Sequence, residues 1–517
     1  MTKPFSNEKR SASFGDSAVS TEAVITFFTW AENGFSGSTA TREGRLTVGY
    51  PIRVTTTKTL GGASGSFQVT MKKPEAYSTF NYLTIWSDPE DVWVLIQWRC
   101  DGQLVDSLLG MLDSVDSNTT REAYGKRDET YELHGRDFGK VFEETLLYLN
   151  PFIEGALIAY PQLVNVVANN IVNGTPADFI EALIEAWIAG GPIGQSWQPP
   201  PGLGLAAKFF DMLDLSGIEA MTRDRNGGAT TFQLINPDQD GGTLWDTMQQ
   251  YSNGVLNELF VDLAPPATNP HGLTGFKPTV FLRERKFPTK ATGDSDYATL
   301  PTWELEPSLI HSKQLAKGGA STRYNFWHLY PGGLGSVDLR SFVNKGRGVP
   351  GVPDANPIWN EQSIRRHGLR RWENTTLFVP NTLRDKDPDL TLADTGLAAS
   401  SWLTTLSEWL LKIHDWYSIA PKQLSGSILT TRLLAEIRIG SRIVEQTESG
   451  DITYYCEGVE HSWQYPGTGQ TRLTVTRGEY ANSKLLDAEY APLDAQEIKA
   501  RALLEADQKL LLENKVF

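Results

Sequence analysis

Apolar and polar residues alternate with a period of two across much of residues 24–142. Phe67, Val69 and Met71 share one face of SGSFQVTMKK, and Val92, Val94, Ile96 and Trp98 share one face of VWVLIQW, with turn residues between the runs. This pattern predicts short antiparallel strands closed into a small barrel or sandwich. The strand at 92–98 leads into QLVDSLLGMLDSVDS and then YELHGRDFGKVF. Residues 435–480 repeat that grammar: an apolar strand AEIRIGSRIVEQ, then YYCEGVEHSWQY, then TRLTVTRGEY. In each, a strand rises to a glycine followed by an acid, a polar turn intervenes, and the returning strand ends near an arginine. Two related β-modules that share no catalytic residues point to architecture before chemistry.

Between the modules the period changes. In TPADFIEALIEAWIAGG, Ile180, Leu183, Ile184, Trp187 and Ile188 form a helical stripe, with Thr175 as N-cap, Pro176 at the first helical position, Asp178 in the first turn and Gly190-Gly191 as the stop. An apolar stretch at 153–172 precedes it and a Pro-rich linker, SWQPPPGLG, follows. TLWDTMQQYSNGVLNELFVDL predicts a helix capped near Gly254 and then a strand, and TVFLRERKF a further strand. The predicted organisation is a polar arm at 1–22, a first β-barrel at 23–142, a helical insertion and linker at 143–204, a mixed α/β domain at 205–358, a helical segment at 359–424, a second β-barrel at 425–482 and a C-terminal helix at 483–517. The fold class is therefore α+β, mainly β.

The chain has 517 residues, too many for one core. Its 46 Gly, 28 Pro and 15 Trp favour turn-rich β structure. A formal net charge of −15 argues against a grip on nucleic acid, which needs clustered Lys and Arg. Cys100 and Cys456, one per module, make no disulfide framework, so a reducing compartment is expected. The N-terminal sequence lacks the apolar core of a signal peptide, and no apolar run is long enough to span a membrane.

Candidate chemistry does not accumulate. Asp137-Phe138-Gly139 matches a kinase tripeptide, but no Gly-rich loop, strand lysine or catalytic Asp/Asn pair lies upstream. Asn236, Asp238, Asp240 and Gly241 mimic the start of a calcium loop, yet Thr247 stands where the bidentate Glu belongs and Pro237 is awkward, so a helix-capping Asx turn is the plainer reading. The histidines, 134, 271, 311, 328, 367, 414 and 461, show no ligand spacing. His134 and His461 fall in corresponding stretches, where packing or hydrogen bonding is their simpler role. No G-x-S-x-G motif surrounds a serine, and no carboxylate pair stands out. Trp93, Trp98, Trp303, Trp327, Trp402, Trp409, Trp416 and Trp463 are spread widely, as core or interface anchors are. Arg283-Glu284-Arg285 and RRHGLRR (365–371) read either as solvated faces with local ion pairs or as surfaces for acidic partners. No catalytic, cofactor-binding or metal-ligating residue is assigned.

Taken in order, GSFQVTM, VWVLIQW, the turn Gly110-Met111-Leu112-Asp113-Ser114-Val115 and LHGRD (133–137) resemble the N-terminal barrel of the phage baseplate hub protein family. LWDTMQQYSNG, VDL and PTVFLRERKFP resemble its hub domain, and RIGSRI, YYCEGVEHSW and TRLTVTRGEY its second barrel. The helical insertion and the C-terminal helix are not part of that pattern. The resemblance implies a non-catalytic structural protein of a virion tail, assembled in the host cytoplasm. It implies a homotrimeric, pseudo-sixfold ring that adapts a sixfold tail tube to a threefold central spike, with DNA passing through the lumen. Implied partners are further copies of the chain, the tail tube or its initiator, the spike and other baseplate proteins. The rival readings are a tail-associated cell-wall or polysaccharide hydrolase and a glycan-binding module of an adsorption apparatus.

Overall fold

The structure is a computed structural model, which describes residues 10–11, 21–29, 38–40, 49–73, 81–86, 88–100, 102–121, 127–145, 175–190, 213–219, 243–263, 278–288, 295–331, 357–376, 409–448 and 450–480. The predicted arm, the stretch 153–172, the linker, the calcium-like residues 236–242 and the C-terminal helix lie wholly or almost wholly outside these residues.

After a two-residue strand β1 (Arg10–Ser11), the first module comprises β2 (Thr21–Phe28), β3 (Ser38–Ala40), β4 (Tyr50–Thr59), β5 (Ser66–Lys72), β6 (Trp93–Cys100), β7 (Gln103–Arg121) and β8 (Arg127–Asp137). Hydrogen bonds order these as β3-β2-β6-β7-β8-β5-β4. β6 is buried on both faces: Val94, Ile96 and Trp98 point into the module's own core, while Trp93 and Leu95 face a second core outside it. A strand covered on two sides has no reason to alternate, which explains the unbroken apolar run VWVLI.

That second core is built by the intervening chain. β9 (Asp214–Ile218), β10 (Asn257–Leu263) and β11 (Pro278–Glu284) form a small sheet in the order β10-β11-β9. Helix α1 (Lys140–Glu144), helix α2 (Pro176–Gly190), helix α3 (Leu244–Tyr251) and a helix over 409–418 pack with it. α2 begins as its sequence predicts. The Asp178 amide donates to Thr175 Oγ1 at 3.2 Å and the Thr175 amide to Asp178 Oδ2 at 3.0 Å, and Ile180, Leu183 and Ile184 are buried. α3 has the same reciprocal cap from Thr243 and Asp246. Its turn into β10 takes positive φ at Asn253, not at Gly254.

The second module contains β12 (Thr302–Leu305) and β13 (Ile310–Lys317), then, beyond a small sheet formed by β14 (Phe326–Pro331), β15 (Ile358–Trp359) and β16 (Arg371–Thr376), β17 (Leu424–Thr430), β18 (Arg442–Glu445), β19 (Ile452–Gln464) and β20 (Thr468–Tyr480). Its order is β12-β18-β19-β20-β17-β13. Two of its strands therefore come from 302–317, within the stretch that sequence patterning gives to the mixed domain, while β15 straddles the boundary at 358/359 and β16 lies in the stretch it gives to helices. The expected strand AEIRIGSRIVEQ is a strand only at β18; residues 433–441 cross between the modules instead.

The two modules share one plan. In chain order, β4, β5, β6, β7 and β8 correspond to β13, β17, β18, β19 and β20, and both sets are arranged third-fourth-fifth-second-first across the sheet. Irregularities of register match as well. Ile52 on β4 and His311 on β13 are each the extra residue of a bulge against the next strand, as are Asp113 on β7 and Glu457 on β19. The sixth position differs, because β2 runs antiparallel to β6 whereas β12 runs parallel to β18. Under this alignment His461 corresponds to Ser117, not to His134.

Two closed barrels are not what forms. Among the described residues neither set of strands closes on itself, and all belong to one 14-stranded sheet. Closure would need the terminal strand β4 to pair with the far side of its own module. β4 instead gives that edge to β19 of the other module.

Candidate functional site: the seam between the two β-repeats

Among the described residues, the feature that organises the molecule is the seam where the repeats meet. β4 pairs antiparallel with the distal half of β19, from Arg53 opposite Gln464 to Thr59 opposite Gly458. Trp463 crosses it into the core of the first repeat, where its Nε1 donates to the Thr21 carbonyl at 2.8 Å. The crossing segment fastens the other side. Leu433 and Ala435 enter the core of the first repeat, while Leu434, Ile437 and Ile439 enter that of the second. Arg438, between them, donates to the carbonyls of Ser107, at 2.7 Å, and Asp106. One apolar run thus serves two cores, which satisfies its hydrophobicity without a strand.

His461 is buried in the seam against Thr471 Oγ1, with its Nδ1 at 3.0 Å. Burial, reinforced by the Arg438 guanidinium, pulls its pKa down to about 3, so it is neutral at ordinary pH. A cavity of about 30 Å³ lies beside it, lined in part by Thr56, Ser107, Asp137 and Arg438. That is room for water and far below the few hundred Å³ of a ligand site.

A second fastening ties the β10–β11 sheet to the second repeat. Arg283 donates to Glu258 Oε1 at 2.7 Å, to Tyr455 Oη at 2.9 Å and to the Gly440 carbonyl at 3.0 Å, and Tyr455 Oη also donates to Glu258. The Arg477 guanidinium lies 4.1 Å from the ring centres of both Tyr455 and Phe287. Arg477 has φ of 56°, beside an extra residue in β20 that turns it inward. Burial pushes the Glu258 carboxyl up, but Arg283 and Arg477 outweigh it and hold it below the ordinary carboxylate value. The sequence marked Arg283 as a solvated or partner-facing charge; it is buried. Its neighbours are paired, Glu284 with Lys412 and Arg285 with the Gly254 carbonyl.

The other described candidates make local contacts within the fold. Asp137 of the kinase-like tripeptide accepts from Lys58 Nζ at 2.5 Å and from the Gly139 amide at 2.8 Å, and burial raises its pKa despite Lys58. Asp113 and Arg136, from the two resembling motifs, pair at 3.0 Å, because the bulge at Asp113 aims it across the hairpin. Gly135, opposite Leu112, has no room for a side chain against the Phe67 ring. His134 stands 3.6 Å from Asp116 and 3.7 Å from Glu132, while His414 lies edge-on to Trp327. The described histidines are not brought together. Among the described residues no cluster of His, Cys, Asp and Glu could hold a metal, and no helix is long and apolar enough to cross a membrane. In RRHGLRR, Arg365 is exposed and pairs with Glu361 within helix α4 (Glu361–His367).

No protein-family model matches the sequence, and no curated protein matches it. Among solved structures the chain is similar over about nine-tenths of its length to phage tail proteins. The 43 kDa tail protein of prophage MuSo2 from Shewanella oneidensis is 12% identical, with 89% of this chain and 98% of that one covered and a TM-score of 0.45. The tail protein from Neisseria meningitidis MC58 is 12% identical, with coverage of 88% and 96% and a TM-score of 0.40. The E. coli c3393 protein, a type VI secretion component with structural similarity to phage T4 tail proteins gp27 and gp5, is 8% identical, with coverage of 84% and 74% and a TM-score of 0.33.

Proposed function

We propose that this chain is a structural hub subunit of a phage tail, assembling as a homotrimer around a channel for DNA. The observation that supports this reading is internal repetition. One chain carries the same five-strand plan twice, edge to edge in a single sheet, so three chains supply six similar β-units on a threefold frame. Such a ring can meet a sixfold tube on one face and a threefold spike on the other. Residues 1–22 and 483–517, and the parts of 143–204 outside the core-packed helix α2, are the segments proposed for tube, spike and other baseplate proteins. The role is architectural: the neutral His461 at the seam is held by Thr471, and the buried Glu258–Arg283 pair with Tyr455 fastens the β10–β11 sheet to the second repeat.

The test is end-on electron microscopy of the purified protein over a concentration series, with mass measurement of each species. Threefold rings with a central hole are the expected result. Particles without a hole, or cleavage of purified envelope polymers that a single carboxylate substitution abolishes, would overturn the reading in favour of a tail-borne hydrolase.

A further inference from the structure

The internal seam is half of a repeating pattern, and the other half is unoccupied among the described residues. The seam joins the first strand of one repeat, β4, to the distal half of the fourth strand of the other, β19. The equivalent strands with roles exchanged are β13 and the distal half of β7. β13 pairs only with β17, and beyond Leu112 β7 pairs only with β8. Burial follows the same rule. Val459, His461 and Trp463, covered by the seam, are buried, whereas Ser117, Asn118, Thr119 and Thr120 are exposed, as are Ser312, Lys313, Gln314, Ala316 and Lys317.

We propose that β13 of one copy pairs antiparallel with residues 114–120 of β7 in a second copy, in the register of the internal seam. The matched bulges fix that register residue by residue. Ser312 corresponds to Arg53 and Thr120 to Gln464, so Ser312 faces Thr120; Lys313 then faces Thr119, Gln314 faces Asn118 and Lys317 faces Val115. Charge suits the pairing. β13 brings Lys317, beside a Lys313 that already pairs with Glu445 at 2.5 Å, and the β7–β8 hairpin presents Asp116, Glu129 and Glu132. Each copy offers one β13 and one β7 edge, so the links run head to tail and close into a ring. The same contact hides the open edge of β13, which is otherwise guarded only by its lysines. This inference rests on the proposed self-assembly and names the surface that makes it.

Directed disulfide formation tests it. Two proteins with one introduced cysteine each, Thr119→Cys and Lys313→Cys, in a Cys100→Ser background that keeps only the buried Cys456, are mixed and oxidised, and Asn118→Cys with Gln314→Cys is run alongside. Adjacent antiparallel pairs alternate between wide and narrow spacing, so one of the two mixtures presents the narrow pair that a disulfide prefers. Thr119→Cys with Gln314→Cys is the off-register control, whose side chains lie on opposite faces. All four positions are exposed, and cooperative melting verifies folding, with a lower midpoint allowed for Lys313→Cys because it loses its pair with Glu445. A covalent heterodimer in at least one matched mixture, with none in the control, is expected. Lys317→Glu is expected to raise the half-assembly concentration by about tenfold or more. If the unmodified protein forms rings yet neither matched pair cross-links, this interface is wrong while self-assembly stands. If it stays monomeric at every concentration, both fail.

Discussion

Glu258 and Arg283 stand directly opposite each other on β10 and β11, and their 2.7 Å ion pair is buried where that sheet meets the second repeat. Each contributes to a group that the other would leave stranded. Replacing Glu258 by Gln leaves Arg283 and Arg477 short of a buried counter-charge. Breaking a buried pair from one side costs about 3–5 kcal/mol, and urea unfolding at pH 7 should show a loss of that order. Replacing Glu258 and Arg283 together by Gln and Met should cost less than the two single changes added.

Acid should loosen the seam in a defined window. His461 has a folded pKa near 3, below the ordinary 6.5 it regains on unfolding. Between these values the unfolded chain binds a proton that the folded chain refuses, so stability falls as pH drops, by about 1.4 kcal/mol per unit. Glu258, with its lowered pKa, adds a loss in the same direction as pH falls below the ordinary carboxylate range. His461→Gln, which can still bond Thr471, should flatten the slope between pH 6 and 4 in a series of denaturation curves.

Gly440 has φ of 72°, and a Cβ there would collide with Arg283 Nη2. Gly440→Ala should therefore cost more than the 1–2 kcal/mol or so of a left-handed alanine, because the guanidinium must also leave the carbonyl it bonds. In an Arg283→Met background the excess should shrink. Equal losses in both backgrounds would mean that backbone conformation alone sets the requirement for glycine.

Trp463 fills the core of the first repeat from a strand of the second. Trp463→Ala should destabilise by about 3–5 kcal/mol. Because the residue belongs to both repeats, calorimetry should show the two losing stability together. A variant whose first repeat melts alone, ahead of an unchanged second transition, would contradict the shared core.

Much of this was readable from residue patterns, and what was not has specific causes. β5 follows from alternation, β6 from its apolar run and the start of α2 from capping. β13, IHSKQLAK, has no continuous apolar face of its own, since only Ile310 and Leu315 reach the core of the second repeat, so period-two patterning passes over it. The segment 433–441 misleads in the opposite way. Leu433 and Ala435 answer to one core and Leu434, Ile437 and Ile439 to another, and the sum resembles a fully buried strand. The fastening of Glu258, Arg283, Tyr455 and Arg477 spans more than two hundred residues and uses types common on surfaces. Only Gly440 and the aromatic-rich YYCEGVE hinted that something had to fit closely there.

The crossing segment has a consequence for how the molecule is made. The first repeat leaves the ribosome with its strands complete by Asp137, yet Leu433, Ala435 and Trp463, which finish its interior, are translated some three hundred residues later. At typical elongation rates of about 5–20 residues per second, that delay is tens of seconds. Through that time the nascent chain carries an unfinished apolar surface and an unpaired β4, so the first repeat reaches its final form only when nearly the whole chain has emerged.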